Sequence, residues 1–223
     1  LTYTLHSPDK DMGFPGNFDL TVVYTVTEDN ELVISYVGKC DQKTYACITN
    51  HAYFNLNGKN SSVLNHSVQI DSDYYLPLDK DSIPTGEKRK VDGGAFDFRQ
   101  EKTLARDFRR DPQMEAALGY DHPFLIKGDL NKAFIKVTSD DKKLSMEVYT
   151  DYPAFQMYTG NYVHQGDNNI IARDDGLVYQ DQCAVCIEPE FYPDCPHLEQ
   201  FKDVNPMVTP EHPLEKTIRY KFY

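Results

Sequence analysis

Tryptophan is absent from the 223 residues, and so is any apolar run approaching the roughly 18 residues that a membrane-spanning helix needs. Positive charge is sparse and scattered. Lys and Arg number 23 against 35 Asp and Glu, a formal charge of −12, and the densest basic pieces are Lys88-Arg89-Lys90 and Arg109-Arg110. A surface of this sign repels nucleic-acid phosphate, which excludes the nucleic-acid binders that work by displacing counterions. No GxGxxG, no P-loop and no GxSxG occurs, so dinucleotide sites, phosphate cradles and the commonest hydrolase elbow are unsupported. Cysteine is scarce and odd in number (Cys40, Cys47, Cys183, Cys186, Cys195) in a chain long enough not to need stapling. Reduced thiols and a cytoplasmic home are expected. Two glycosylation triplets, Asn60-Ser61-Ser62 and Asn65-His66-Ser67, carry no weight for secretion, because such triplets arise often by chance.

What the chain does have is 16 Tyr, 12 Phe, 13 Pro and 12 Gly, with 40% of residues apolar. Aromatic and β-branched residues cut at short intervals by turn formers favour strands. Residues 19–27 alternate, 31–37 repeat the alternation after Glu28-Asp29-Asn30, and the pair reads as a β-hairpin. A second hairpin is expected from 133–139 and 144–150 around Asp140-Asp141-Lys142-Lys143. Further strands are expected over 44–56, 66–71, 155–162, 183–190 and 217–223. Residues 101–118, with Leu104 and Phe108 four apart and Pro112 in the middle, predict two short helices. Strands that seldom alternate with helices imply a mostly β fold, an antiparallel sandwich or barrel.

Strand parity then sorts side chains by face. Over Thr49–Leu56 it places His51, Tyr53 and Asn55 together, opposite Ala52, Phe54 and Leu56. An imidazole, a phenol and an amide on one face suit a polyhydroxylated ligand, although a half-solvated strand would look the same. Gln156 and Tyr158 share a face in the next such segment, and Gly160 leaves room for a close approach. In Cys183–Glu190, Glu188 sits among apolar neighbours, where burial would raise its pKa and suit it to accept a proton near neutrality. Gly119-Tyr120-Asp121-His122 reads as a turn whose acid could orient a hydroxyl or merely cap backbone amides. Cys183 and Cys186 have CxxC spacing with Cys195 and His197 downstream, but positions three apart on a strand face opposite ways. No metal site and no cofactor are expected.

Taken in order, these segments resemble the galactose mutarotase (aldose 1-epimerase) family over the length of the chain. The matching pieces are Ser7-Pro8-Asp9 with Gly13–Asn17, Thr49–Leu56, Tyr75–Asp79 with Pro84-Thr85-Gly86, Phe96–Arg99, Gly119–His122, Gln156–Asn161, Ile187-Glu188 with Phe191–Asp194, and the terminal strand. The resemblance implies a large antiparallel β-sandwich with one or two short helices. It implies an isomerase that interconverts the α and β anomers of free aldohexoses such as galactose and glucose, without metal or cofactor. Carried over residue by residue, His51 is the general acid at the ring oxygen and Glu188 the general base at the anomeric hydroxyl. Asp121 and Gln156 then bind sugar hydroxyls, and the parity argument adds Tyr53 and Tyr158 as sugar contacts.

The expected partner is a small aldose, with neither nucleic acid nor membrane involved; oligomeric state is not legible. The family's His-Gly-Gly segment has no counterpart here, and Cys195-Pro196-His197-Leu198 stands where a Pro-Asn-His run is usual. Residues 1–223 are therefore expected to form the C-terminal part of a single family domain. Three other readings stay open on the residues alone: a glycoside hydrolase using Glu188 and Asp121, a non-catalytic carbohydrate-binding sandwich, and an enzyme for hexose phosphates, which would need Arg or Lys at the pocket.

Overall fold

A computed structural model describes residues 1–58, 61–164, 176 and 178–223; the Asn60 triplet begins outside the described residues. The strands fall into three antiparallel sheets. The eight-stranded sheet contains β1 (Thr2–Ser7), β2 (Phe18–Val26), β3 (Glu31–Cys40), β6 (Ser67–Ile70), β9 (Lys102–Thr103), β11 (Ile135–Thr138), β12 (Ser145–Thr150) and β16 (Leu214–Phe222). Its order is β1-β2-β3-β16-β12-β11-β6-β9. The six-stranded sheet contains β5 (Tyr53–Phe54), β7 (Tyr74–Tyr75), β8 (Arg89–Lys90), β10 (Asp121–Leu125), β13 (Ala154–Tyr158) and β14 (Val185–Glu190), in the order β5-β14-β13-β10-β7-β8. Strands β4 (Thr44–Tyr45) and β15 (Met207–Val208) make a two-stranded ribbon.

The core lies where the two large sheets face each other. Alternation supplies Ile34, Tyr36, Val148, Ile218 and Tyr220 from one sheet, and Phe124, Phe155, Met157, Val185 and Ile187 from the other, all buried. Rings bridge the layers: Phe54 meets Tyr220 at 5.0 Å between centroids and Phe134 meets Phe155 at 4.6 Å. The Tyr220 hydroxyl donates to the Ile187 carbonyl at 3.3 Å, giving a buried phenol the partner it needs. Both expected hairpins form, and the chain is a mostly β antiparallel sandwich. Among the described residues no helix is long and apolar enough to cross a membrane.

Three local expectations are corrected. Residues 44–56 do not form one strand: between β4 and β5 the backbone leaves the ladder. The Asn50 side chain accepts from the Ala52 amide at 3.2 Å, Pro206 takes the Ala46 amide at 2.8 Å, and the Tyr152 hydroxyl holds the Ile48 carbonyl. An Asx turn competes here with strand pairing and wins. Residues 101–118 give one helix, α1 (Gln113–Ala117), and a 3₁₀ turn at Leu104–Arg106, while Lys102–Thr103 join the sheet as β9. Asp121, expected in a turn, is the first residue of β10.

Candidate active site

One face of the six-stranded sheet is packed on the core, and the other carries the polar groups. Directly opposed residues of antiparallel strands share a face, so the register itself writes out the site. Tyr53, Cys186, Tyr158 and Asp121 form one row across β5, β14, β13 and β10; Glu188, Gln156 and Pro123 form the next; Glu190, Ala154 and Leu125 the third. The alternate residues, among them His122, Phe124, Phe155, Met157 and Ile187, turn inward. Beyond β13 the chain turns at Gly160, with φ +64° and a backbone so close to β14 that an added Cβ would stand 3.0 Å from the Ala184 carbonyl. That turn lets the Tyr158 hydroxyl accept from the Tyr162 amide at 3.0 Å and brings Tyr162 to the rim.

An open cleft of about 410 Å³ lies over these rows, within the size range of small-molecule sites. All six residues singled out from the sequence (His51, Tyr53, Asp121, Gln156, Tyr158 and Glu188) line it, together with Tyr162, Glu190 and Pro193. His51 reaches it from the irregular segment before β5, not from a strand. Its ring stacks on Tyr53 at 5.1 Å and meets Tyr158 edge-on at 6.1 Å, which aims Nε2 at Glu188 Oε1, 3.5 Å away. His51 is half exposed, whereas Glu188 is buried. Asn55, expected beside His51 and Tyr53, faces elsewhere: its amide donates to the Ser61 and Cys183 carbonyls at 2.7 and 2.8 Å, and it pins β5 rather than lining the cleft.

The electrostatics follow from three carboxyl groups in one half-closed space. Burial, and next the nearby Asp121 charge, push Glu188 up to about 7. Glu190 rises to about 8, by burial first and then by its two acidic neighbours. Burial also raises Asp121, although the Gln156 amide, donating at 2.7 Å, and His51 oppose the rise. The Gln156 oxygen is buried without a hydrogen-bond partner. Burial lifts the Tyr158 phenol to about 12, so it remains a neutral donor. Glu190 shares the parity of Glu188 in the sequence, and that was the available signal for it. Tyr162 and Pro193 had no such signal, since loops carry them in.

Arg99 does not approach the cleft. It is held by Asp73, Asp92 and Asp97 at 2.8–2.9 Å, and no Lys or Arg lines the cleft among the described residues. That arrangement suits a neutral polyol and opposes a phosphorylated one. The CxxC pair separates, although not by strand parity, since β14 begins only at Val185 and Cys183 lies in the bend before it: Cys183 packs with Val163 and Ala184, while Cys186 lies beside His51 and Glu188. All five thiols are unpaired.

The chain is a β-sandwich that sets an imidazole against a raised carboxyl in an open polar cleft, with no Lys or Arg among the described lining residues. The aldose 1-epimerase family model matches residues 1–221, and the chain belongs to that family. It is 38% identical over 224 residues to an aldose 1-epimerase of Escherichia coli K12, a match covering 100% of this chain and 63% of that protein. It is 35% identical over 221 residues to a galactose mutarotase of Homo sapiens, covering 97% of this chain and 60% of the relative. Among solved structures, a GalM/aldose epimerase homologue from C. elegans superposes with a TM-score of 0.85 at 26% identity, over 100% of this chain and 65% of that one. A galactose 1-epimerase from Lactobacillus acidophilus gives the same TM-score of 0.85 at 26% identity, over 100% of this chain and 62% of that one. The chain thus spans less than two thirds of the length of the curated relatives it matches.

Proposed function

We propose that the protein is an aldose 1-epimerase, converting the α and β anomers of free aldohexoses such as galactose and glucose into one another. The observation that carries this reading is the 3.5 Å approach of His51 Nε2 to Glu188 Oε1 at the wall of an open polar cleft. Opening a cyclic hemiacetal requires a proton to leave O1 and another to reach O5 as the C1–O5 bond breaks and C1=O1 forms. Ionised Glu188 takes the first and protonated His51 gives the second. Rotation about C1–C2 presents the other face of the aldehyde, and closure returns both protons. Each group ends as it began, so neither redox partner nor covalent intermediate enters the balance. Asp121 and Gln156, tied to each other at 2.7 Å, orient sugar hydroxyls, and Tyr53 and Tyr158 add phenol contacts. A glycosidase reading would pair Glu188 with Asp121 and would leave the approach of His51 to Glu188 without a part in the chemistry.

The aldose partner follows from this chemistry, and the unpaired thiols fit a reducing, cytoplasmic setting. Polarimetry tests the activity. Freshly dissolved α-D-galactose and α-D-glucose should reach their equilibrium rotation faster with the protein than in buffer, while a nitrophenyl glycoside stays intact. Rotation at the buffer rate, or release of nitrophenol, refutes the reading.

A further inference from the structure

Beneath the cleft, one group belongs to the same cluster yet has no part in the proton transfers. The sulfur of Cys186, a ring nitrogen of His51 and a carboxylate oxygen of Glu188 all lie within 4.8 Å of one another. Two of the three are fixed by β14, where Cys186 and Glu188 are two residues apart and share a face. The third arrives from a separate segment, anchored two residues later by the pairing of Tyr53 with Cys186. In a tetrahedral zinc site the bond lengths place donor atoms about 3.3–3.7 Å apart. Nε2 and Oε1 already stand at 3.5 Å, and the sulfur needs a movement of roughly 1 Å at most to join them. The donor set of nitrogen, sulfur and oxygen is one that zinc accepts and magnesium or calcium do not. Asp121 adds a further carboxyl group beside the cluster, and among the described lining residues no Lys or Arg opposes a cation there.

We propose that His51, Cys186 and Glu188 bind a thiophilic divalent cation of the zinc type, with a fourth position open to water or a sugar hydroxyl. The Cys186 thiol proton leaves to solvent as the sulfur–metal bond forms. This is a site of inhibition, not of catalysis. On the epimerase reading above, a cation held there occupies both the proton donor and the proton acceptor, so it competes with the sugar.

The test reads binding directly. Protein stripped with a chelator is titrated with Zn²⁺ by calorimetry and with Co²⁺ by absorption, where a thiolate–cobalt contact gives a near-ultraviolet charge-transfer band. One cation per chain and that band are expected. Cys186→Ser should abolish the band and weaken zinc by more than the roughly 10–100-fold that losing a group which merely orients a ligand costs. Exposed His51, replaced in His51→Asn, should weaken zinc comparably without endangering the fold. Cys183→Ser should change neither measurement, and D-galactose should raise the apparent zinc Kd. A band surviving Cys186→Ser, a band lost in Cys183→Ser, or unchanged zinc affinity in both Cys186→Ser and His51→Asn overturns the site. Because no turnover is read, the two hypotheses fail separately. Zinc bound by a protein that does not mutarotate supports the site and sinks only the epimerase reading, and mutarotation without zinc binding does the reverse.

Discussion

Replacing Glu188 with Gln is the sharpest test of the proton-transfer reading. Glutamine keeps the shape and can still hydrogen-bond a sugar hydroxyl, but it cannot accept a proton. Loss of a positioned general base costs roughly 10²–10⁴ in rate, or about 2.7–5.5 kcal/mol of barrier. Part of that factor traces to burial. The rise of the Glu188 carboxyl from the ordinary 4.5 to about 7 makes its anion ~20-fold stronger as a proton acceptor, taking a Brønsted slope of ~0.5. The same rise leaves about half of it protonated at neutral pH, so a net gain of ~10-fold remains. The sign of the pH dependence follows. Since ionised Glu188 has to work together with a protonated His51, the profile is a bell, and Glu188 sets its acid limb: kcat/KM should rise through about 7 and fall away below it. In Asp121→Asn, which removes the second cause of the rise, the limb should move to lower pH. His51→Asn should cost a factor similar to Glu188→Gln, and the double variant less than the product of the two, because both protons move in one reaction. Polarimetry on α-D-galactose from about pH 5 to 9 measures all of this. A Glu188→Gln protein within about threefold of the parent, with the pH limb unmoved, would refute the argument and send the search for the base to Asp121.

Three further outcomes are expected. Glu190 is more readily protonated in the fold than in the unfolded chain, so its contribution to stability is present below about pH 4.5 and is lost as pH climbs through about 8. Glu190→Gln should therefore raise the melting temperature at pH 8 relative to the parent, by ~2–4 °C per kcal/mol relieved, and no difference between pH 5 and pH 8 would contradict it. Gly160→Ala forces a side chain into a left-handed backbone against the Ala184 carbonyl and should cost ~1–2 kcal/mol in denaturant unfolding, with mutarotation weakened as Tyr158 and Tyr162 shift; an unchanged midpoint would show that the turn relaxes freely. Exhaustive chelation should leave mutarotation intact or faster, whereas activity lost to a chelator and restored by zinc would make the cation part of the reaction.

Period-two alternation was enough to find the hairpins, the mostly β class and the face shared by Gln156 and Tyr158, because strand geometry fixes which side chains travel together. It also showed that Glu188 would be a carboxylate among apolar neighbours. Where local hydrogen bonds outcompete the ladder, the alternation misleads. The Asn50 turn breaks the strand expected over residues 44–56, so His51 enters the cleft by a route that parity did not describe, and Asn55 leaves the polar set to anchor β5. The remaining features belong to tertiary structure alone. Residues 51, 121, 156 and 188 are far apart along the chain, and only the order β5-β14-β13-β10 sets them side by side. The 3.5 Å gap between Nε2 and Oε1, the rise of Glu188 to about 7, and the thiol of Cys186 beneath them all arise from desolvation and proximity. Those depend on distances across strands, and a linear order of residues does not contain them.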